Sequence, residues 1–179
     1  FLSSPSSRRN FIDQLIFTHR HGYNKLVNSY NKYLQERSKI LSNNILDESW
    51  LNELEKNISI CGLEIYFLRN EQVNILQENL NIYLGYYNLP FKININLNDK
   101  FFTTNIKQDF FELELKNNRK IDAIIGGSKI GPHKSDYMFY VNDSFSASQL
   151  STGQQKTLIL LIFLSHTKYL INIKNKEPI

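Results

Sequence analysis

Apolar residues recur every three or four positions through the first half of the chain, which is the spacing of amphipathic α-helices. A first helical region begins at Pro5 and is expected to bend at Gly22. A polar break at residues 42–44 separates it from a second helical region, which Asp47 caps. Two long amphipathic helices joined by a short polar link pack antiparallel. The pattern therefore predicts an antiparallel helical arm over residues 1–90.

The periodicity changes after Pro90, where apolar and polar residues alternate up to Leu97 and predict a strand with one buried face. The shorter elements that follow are predicted to be a helix over residues 105–116 and strands over residues 123–125 and 137–141. The first 90 residues thus contain only predicted helices, whereas the rest of the chain mixes strands and helices. We therefore predict an α+β fold, in which the arm is joined to a second, partial domain over residues 91–179.

The last predicted element is a helix from Thr152 to about Leu170. It is apolar on nearly every side, so we expect it to be buried in a complete domain and to expose apolar faces in an incomplete one. Its longest apolar run, residues 158–164, is too short to span a bilayer.

The start of this helix carries the candidate chemistry. It comprises Ser151, Thr152, Gly153, Gln154, Gln155 and Lys156. Ser151 can cap the helix, and Gly153 leaves room for a ligand to approach the backbone. Because a helix N-terminus favours an anion, a nucleotide phosphate is the ligand that suits this turn. The alternative is an ordinary capped core helix.

Three segments resemble the RecF family of DNA repair proteins, whose members are ABC-type ATPases. Residues 151–156 are similar to the signature motif in its RecF variant. The family's Gly-Pro-His-Arg-x-Asp turn is matched by Gly131, Pro132, His133, Lys134 and Asp136. Residues 4–13 resemble the family's Pro-x-x-Arg-Arg-x-Phe-Leu-Asp segment, which opens its arm. Two departures stand out: Ser3 stands where many members have glycine, and Lys134 replaces an arginine, which weakens the case for a bidentate contact there.

The resemblance implies a fold and a mechanism. The fold would be a helical arm attached to an ABC-type ATPase head that contains short strands and a buried signature helix. The signature turn would cap the γ-phosphate of ATP held by a second subunit, with Ser151 and Gly153 touching the phosphate and Gln154, Gln155 and Lys156 shaping and charging the turn. Implied partners are single-stranded or gapped DNA, a second copy in an ATP-bound homodimer, and the mediators RecO and RecR. The implied role is DNA replication and recombinational repair, with recombinase loading and a part in the SOS response.

Two motifs of such ATPases are missing. No Gly-x-x-x-x-Gly-Lys-Ser/Thr run occurs, and no apolar strand ends in Asp-Glu. We therefore expect an internal fragment that lacks the Walker A and Walker B segments. ATP would be bound mainly by residues outside the fragment, and Mg²⁺ would belong to the full-length protein. That protein is expected to be a slow DNA-dependent ATPase, whereas the fragment alone should not hydrolyse ATP.

Charge and composition add less. The net charge of +4 and the pI of about 9.0 are compatible with a polyanionic partner. Arg8 and Arg9 could contact DNA or hold the root of the arm to the head, and the simplest expectation is one salt bridge and one exposed charge. His19 and His21 have the wrong spacing for a metal pair, so no metal site is predicted. The single cysteine, Cys61, fits a reducing cytoplasm.

Two alternatives remain open at this stage. One is another ATPase head of the structural-maintenance-of-chromosomes type, although such heads carry far longer arms. The other is a non-enzymatic helical interaction module in which the Ser151 turn is only a helix cap.

Overall fold

The computed structural model describes residues 4–43, 47–143 and 145–174. Their elements, in chain order, are α1 (Pro5–Phe17), α2 (Tyr23–Ser42), α3 (Glu48–Tyr86), β1 (Ile93–Asn98), α4 (Gln108–Asn117), α5 (Arg119–Ile125), β2 (Asp136–Val141), β3 (Phe145–Ser146), a single 3-10 turn (Ala147–Gln149) and α6 (Thr152–Lys174). The α+β class is confirmed. The departure of Ser3 from the family pattern lies outside the described residues.

Contacts divide the chain into two compact units, and α3 runs through both. The unit that we call the sheet unit comprises Phe1–His19, Arg69–Asn98 and Asp136–Ile179. The helical unit comprises Arg20–Leu68 and Asp99–Ser135. Within the sheet unit α1 packs on β2, and within the helical unit α4 and α5 pack with α2 and the first half of α3. The division of the chain at residue 90 stays a prediction.

The sheet unit is built on a three-stranded antiparallel sheet in the order β1-β2-β3. In its register Ile93 pairs with Val141 and Ile95 with Phe139, so the apolar positions of the alternating pattern share the buried face. The strands predicted at residues 91–97 and 137–141 are therefore confirmed. Ser4 caps α1 by accepting a hydrogen bond from the Ser7 amide at 3.2 Å, with Pro5 in the first turn.

The helical unit contains α2 and the first half of α3, which run in opposite directions. Their contacts show this order: Tyr30 lies beside Gly62, Arg37 bonds Glu55, and Ile40 packs near Leu51. As residue numbers rise along α2, those of the contacted residues fall along α3. The predicted antiparallel packing of the arm helices is thereby confirmed for this unit.

Two local predictions are corrected. Residues 123–125 are not a strand but the end of α5, which stops at Gly126 in the left-handed region at φ +70°. A short apolar run has no periodicity that separates helix from strand, and here Asp122 decides the outcome because its buried carboxylate bonds Arg37. Gly22 does more than bend the first helical region: at φ +88° it is the N-cap of a separate helix, α2.

The apolar helix α6 is buried on one side only. Leu158, Leu161 and Ile162 are buried, whereas Leu160 is 57% exposed and Phe163 46% exposed. Apolar side chains of α6 are thus exposed in this chain, which is what the sequence analysis expects of this helix in an incomplete domain. By length and composition alone, Thr152–Ile173 is also apolar enough to cross a membrane, a test that core helices of soluble proteins pass as well.

Candidate nucleotide-binding turn

The turn at residues 151–156 folds as a capping box. The Gln154 amide donates to Ser151 Oγ at 3.3 Å, and the side-chain oxygen Oε1 of Gln154 accepts from the Ser151 amide at 2.9 Å. The Gln155 amide then donates to the Ser151 carbonyl at 2.9 Å, which closes the first helical turn. Ser151 is thus the N-cap of α6, as the sequence predicted.

The capping box uses two amides of the first helical turn and leaves those of Thr152 and Gly153 for another acceptor. Both residues are exposed, and a Cβ built on Gly153 would meet nothing within 4 Å. Lys156 is exposed one turn further on. An anion at this helix end would therefore meet open amides, the positive end of the helix dipole and a lysine.

The side chain of Gln155 bonds within the turn and is not open to solvent on all sides. Its Nε2 donates to the Leu150 carbonyl at 2.9 Å, and the residue is half-buried. This bond ties the helix to the segment before it. The side chains of both Gln154 and Gln155 are therefore engaged within the turn.

A second capping box, which the sequence analysis missed, precedes the first. The Ser148 amide donates to Ser146 Oγ at 3.3 Å, and the Ser146 amide donates to Gln149 Oε1 at 2.9 Å. The available signal was the Ser-x-x-Gln pattern, which occurs at Ser146 and again at Ser151. Two consecutive boxes fix the backbone on both sides of Leu150.

An open groove of about 680 Å³ lies beside the turn within the sheet unit. Gly153 and Gln154 form one end of it, and apolar side chains including Ile93, Phe145 and Leu161 line the rest. The turn therefore stands at the rim of an apolar surface.

In the second predicted motif, residues 131–135 belong to the helical unit and fold around His133. Tyr30 Oη donates to His133 Nδ1 at 2.8 Å, and His133 Nε2 donates to the Ser128 carbonyl at 3.0 Å. Gly131 has φ +125°, and a Cβ there would lie 2.3 Å from Tyr30 Oη. Both ring nitrogens are used, so the geometry gives His133 a bracing role. Pro132 is buried, while Lys134 is exposed.

The last residue of that motif, Asp136, pairs with Arg8 rather than with Lys134. It accepts two hydrogen bonds from Arg8, each of 2.7 Å, and one from the Tyr137 amide. The bonds from Arg8 hold the pKa of Asp136 below its ordinary value.

Arg9 differs from its predicted role as an exposed charge. The residue is half-buried, and loss of solvent together with the nearby charge of Arg69 lowers its pKa. The prediction of one salt bridge is confirmed at Arg8, but the second arginine is not an open surface cation.

A metal site is the remaining kind of functional site to consider. Across residues 4–43, 47–143 and 145–174, no group of three or more His, Cys, Asp or Glu side chains is placed to hold a metal ion. His19 instead packs its ring against His166, with centroids 5.7 Å apart.

The chain is similar in sequence to known proteins. No model of a known protein family matches it. It is 28% identical over 184 residues to the DNA replication and repair protein RecF of Rickettsia bellii (strain OSU 85-389), and 28% identical over 184 residues to that of Rickettsia typhi. These matches cover 100% of the chain and 51% of each relative, so the chain spans about half their length.

Solved structures show the same fold. A structure titled recombination mediator protein RecF-ATP in the RecFOR pathway superposes with a TM-score of 0.84 at 22% identity. The match covers 99% of this chain and 49% of that one. The RecF-ATPrS structure of the same pathway gives a TM-score of 0.82.

The chain therefore has the fold of about half of these RecF structures. Along its whole length it is a homologue of proteins named RecF. The resemblance drawn from its three motifs is confirmed.

Proposed function

We propose that the chain is part of an ATP-dependent DNA-binding protein of RecF type that acts in DNA replication and recombinational repair. The relatives carry the name DNA replication and repair protein RecF, and the similar structures are titled as complexes with ATP or ATPrS. The complete protein would be a slow DNA-dependent ATPase of the cytoplasm. RecO and RecR are its proposed partners, since the similar structures belong to the RecFOR pathway.

In this proposal the turn at residues 151–156 binds ATP that a second subunit holds. The observation that carries it is the capping box of Ser151 and Gln154, which leaves the exposed amides of Thr152 and Gly153 open at the end of α6. Ser151 and Gly153 would contact the γ-phosphate, and Lys156 would add a positive charge. ATP bound between the two subunits would then hold the homodimer together.

The remaining motif residues have supporting roles in this proposal. Gln154 and Gln155 fix the shape of the turn through their bonds to Ser151 and Leu150. His133 and Gly131 shape a second turn, and Arg8 and Asp136 join α1 to β2. The ATP and Mg²⁺ that the complete protein needs would be held chiefly by residues beyond this chain.

A substitution at Ser151 tests the proposal. Ser151→Arg in the complete protein places a long cation where the phosphate would lie, so ATP should still bind each subunit while ATP-dependent dimerisation is lost in light scattering. Asn172→Arg adds the same charge to the exposed far end of α6 and should dimerise normally. Normal ATP-dependent dimerisation of Ser151→Arg would refute the role. Dimerisation that never depends on ATP would favour an interaction module instead.

A further inference from the structure

Three lysines on α2 form a row along one side of the helix. Lys25, Lys32 and Lys39 are seven residues apart, and seven residues make almost two full turns. All three are exposed, with 73% of the Lys32 side chain open to solvent. At a rise of about 1.5 Å per residue, the row is about 21 Å long. We call it the lysine row.

The face that carries the lysine row is almost free of carboxylates. Its other exposed residues include the amides Asn24, Asn28 and Gln35. Glu36 is the one acidic residue of α2. Its Oε1 lies 3.9 Å from Lys32 Nζ, which is a long distance for an ion pair. A solvated helix face usually intersperses the two signs of charge, which this face does not.

The buried side of α2 adds no charge to this row. Arg37 is 1% exposed, and its guanidinium is neutralised by Glu55 and Asp122 at 2.9 and 2.7 Å. Apart from the half-buried Glu36, the lysines are therefore the charges that α2 itself presents on its outer face.

The neighbouring helix has the opposite balance. Within the helical unit, the exposed charges of α3 are Glu48, Glu53, Lys56 and Glu64. Because α2 and this half of α3 pack antiparallel, the unit carries a basic helix next to an acidic one. Charges are segregated between the two helices, so the lysine row forms a distinct positive surface.

We propose that the lysine row binds the phosphate backbone of duplex DNA. The row spans the axial length of about six base pairs at 3.4 Å each, and lysine ammonium groups neutralise phosphates. Asn and Gln side chains on the same face can donate to phosphate oxygens as well. Such contacts position a duplex without reading its sequence. The inference rests on the proposed DNA-binding function and assigns a surface to it.

Salt-dependent binding measures this contact directly. Each phosphate contact contributes about 0.9 to the slope of log affinity against log salt concentration for duplex DNA. In the complete protein, Lys25→Ala/Lys32→Ala/Lys39→Ala should reduce that slope by about 2.7 and weaken binding of a fluorescent duplex by about tenfold or more at moderate salt. Lys56→Ala/Lys107→Ala/Lys120→Ala removes three exposed lysines of the same unit and should keep the original slope.

A second variant guards against misfolding of the first. Glu36→Gln removes the one carboxylate of α2 and should tighten duplex binding several-fold at low salt, without any loss of structure. An unchanged slope for the lysine-row variant, together with unchanged affinity for Glu36→Gln, would overturn the inference. So would binding confined to single strands. If the unaltered protein binds no DNA at any salt concentration, the proposed function itself fails.

Discussion

Arg8 and Asp136 lie 128 positions apart in the sequence, yet Nε and Nη2 of Arg8 each donate a 2.7 Å hydrogen bond to the Asp136 carboxylate. The pair joins the first helix of the chain to the central strand of the sheet. Each residue belongs to a different segment that resembles RecF. The structure therefore explains part of that resemblance as a single contact inside the sheet unit.

Breaking this pair should lower stability. Arg8→Ala is expected to reduce the free energy of unfolding by about 1.5 to 3 kcal/mol, because it leaves a largely buried carboxylate without its charged donors. Arg8→Lys should recover little, since lysine cannot donate in the same two-point geometry. Urea denaturation of Arg8→Ala, Asp136→Asn and the double variant measures the coupling. Fully additive losses would contradict a direct interaction.

The same pair has a pH dependence of known sign. Arg8 lowers the pKa of Asp136 in the folded protein. The ionised Asp136 therefore contributes its full stabilisation at a pH above the pKa of the unfolded chain, which is about 3.9. This stabilisation is lost as the pH falls from the unfolded pKa toward the lower pKa of the folded protein. Stability of Asp136→Asn should accordingly fall less steeply below pH 4 than that of the unaltered protein.

Gly131 should not tolerate a side chain. Gly131→Ala would strain a backbone at φ +125° and bring a Cβ to 2.3 Å from Tyr30 Oη, so we expect a loss of about 2 kcal/mol or more in unfolding free energy. Thermal unfolding measures it. Repeating the substitution in a Tyr30→Phe background removes the hydroxyl, and the loss should then shrink. Equal losses in both backgrounds would show that the hydroxyl contact is irrelevant.

The buried charge of Arg37 is expected to be essential for folding. Its guanidinium bonds Glu55, Asp122 and the Leu115 carbonyl. Arg37→Ala would therefore leave the buried Asp122 carboxylate without its charged partner and Glu55 with Arg119 alone. A loss of about 3 to 5 kcal/mol follows. Lys39→Ala, two residues along and exposed, should change stability by no more than about 0.5 kcal/mol. If the denaturation curves of Arg37→Ala and Lys39→Ala coincided, the buried network would be contradicted.

His166 should stay neutral at physiological pH. Gln72 Nε2 donates to His166 Nδ1 at 3.4 Å. His166 Nε2 donates to Thr18 Oγ1 at 2.8 Å. Burial, with a smaller effect of His19, lowers the pKa of His166 to about 4. Because the unfolded chain takes up a proton near pH 6.5 and the folded one does not, stability should be full above pH 6.5 and fall from there toward pH 4. A nuclear magnetic resonance titration of His166 with a midpoint near 6.5 would contradict this.

Local patterns in the sequence predicted the elements whose periodicity is long and clear. The arm helices, the strand at Ile93 and the capped start of α6 all follow from spacing or from a single cap residue. The end of α5 was predicted wrongly because Ile124 and Ile125 form a run too short to show a period. The burial of Arg37 could not be predicted, since nothing in its local sequence indicates its contacts with Glu55 and Asp122.

Pairings between distant segments lay beyond sequence reasoning altogether. Nothing in the local order of residues indicates that Arg8 reaches Asp136, that Arg69 pairs with Asp13, or that Tyr30 bonds His133. Such contacts depend on how separate elements meet. In contrast, the Ser151 turn was predictable because its hydrogen bonds join residues only three positions apart.

The central claim is that the Ser151 turn completes a nucleotide site in a second subunit. A structure of the complete homodimer with a non-hydrolysable ATP analogue tests it most directly. We predict the γ-phosphate held by one subunit within hydrogen-bond distance of Ser151 Oγ or the Gly153 amide of the other. A dimer in which the analogue lies remote from residues 151–156 would contradict the account.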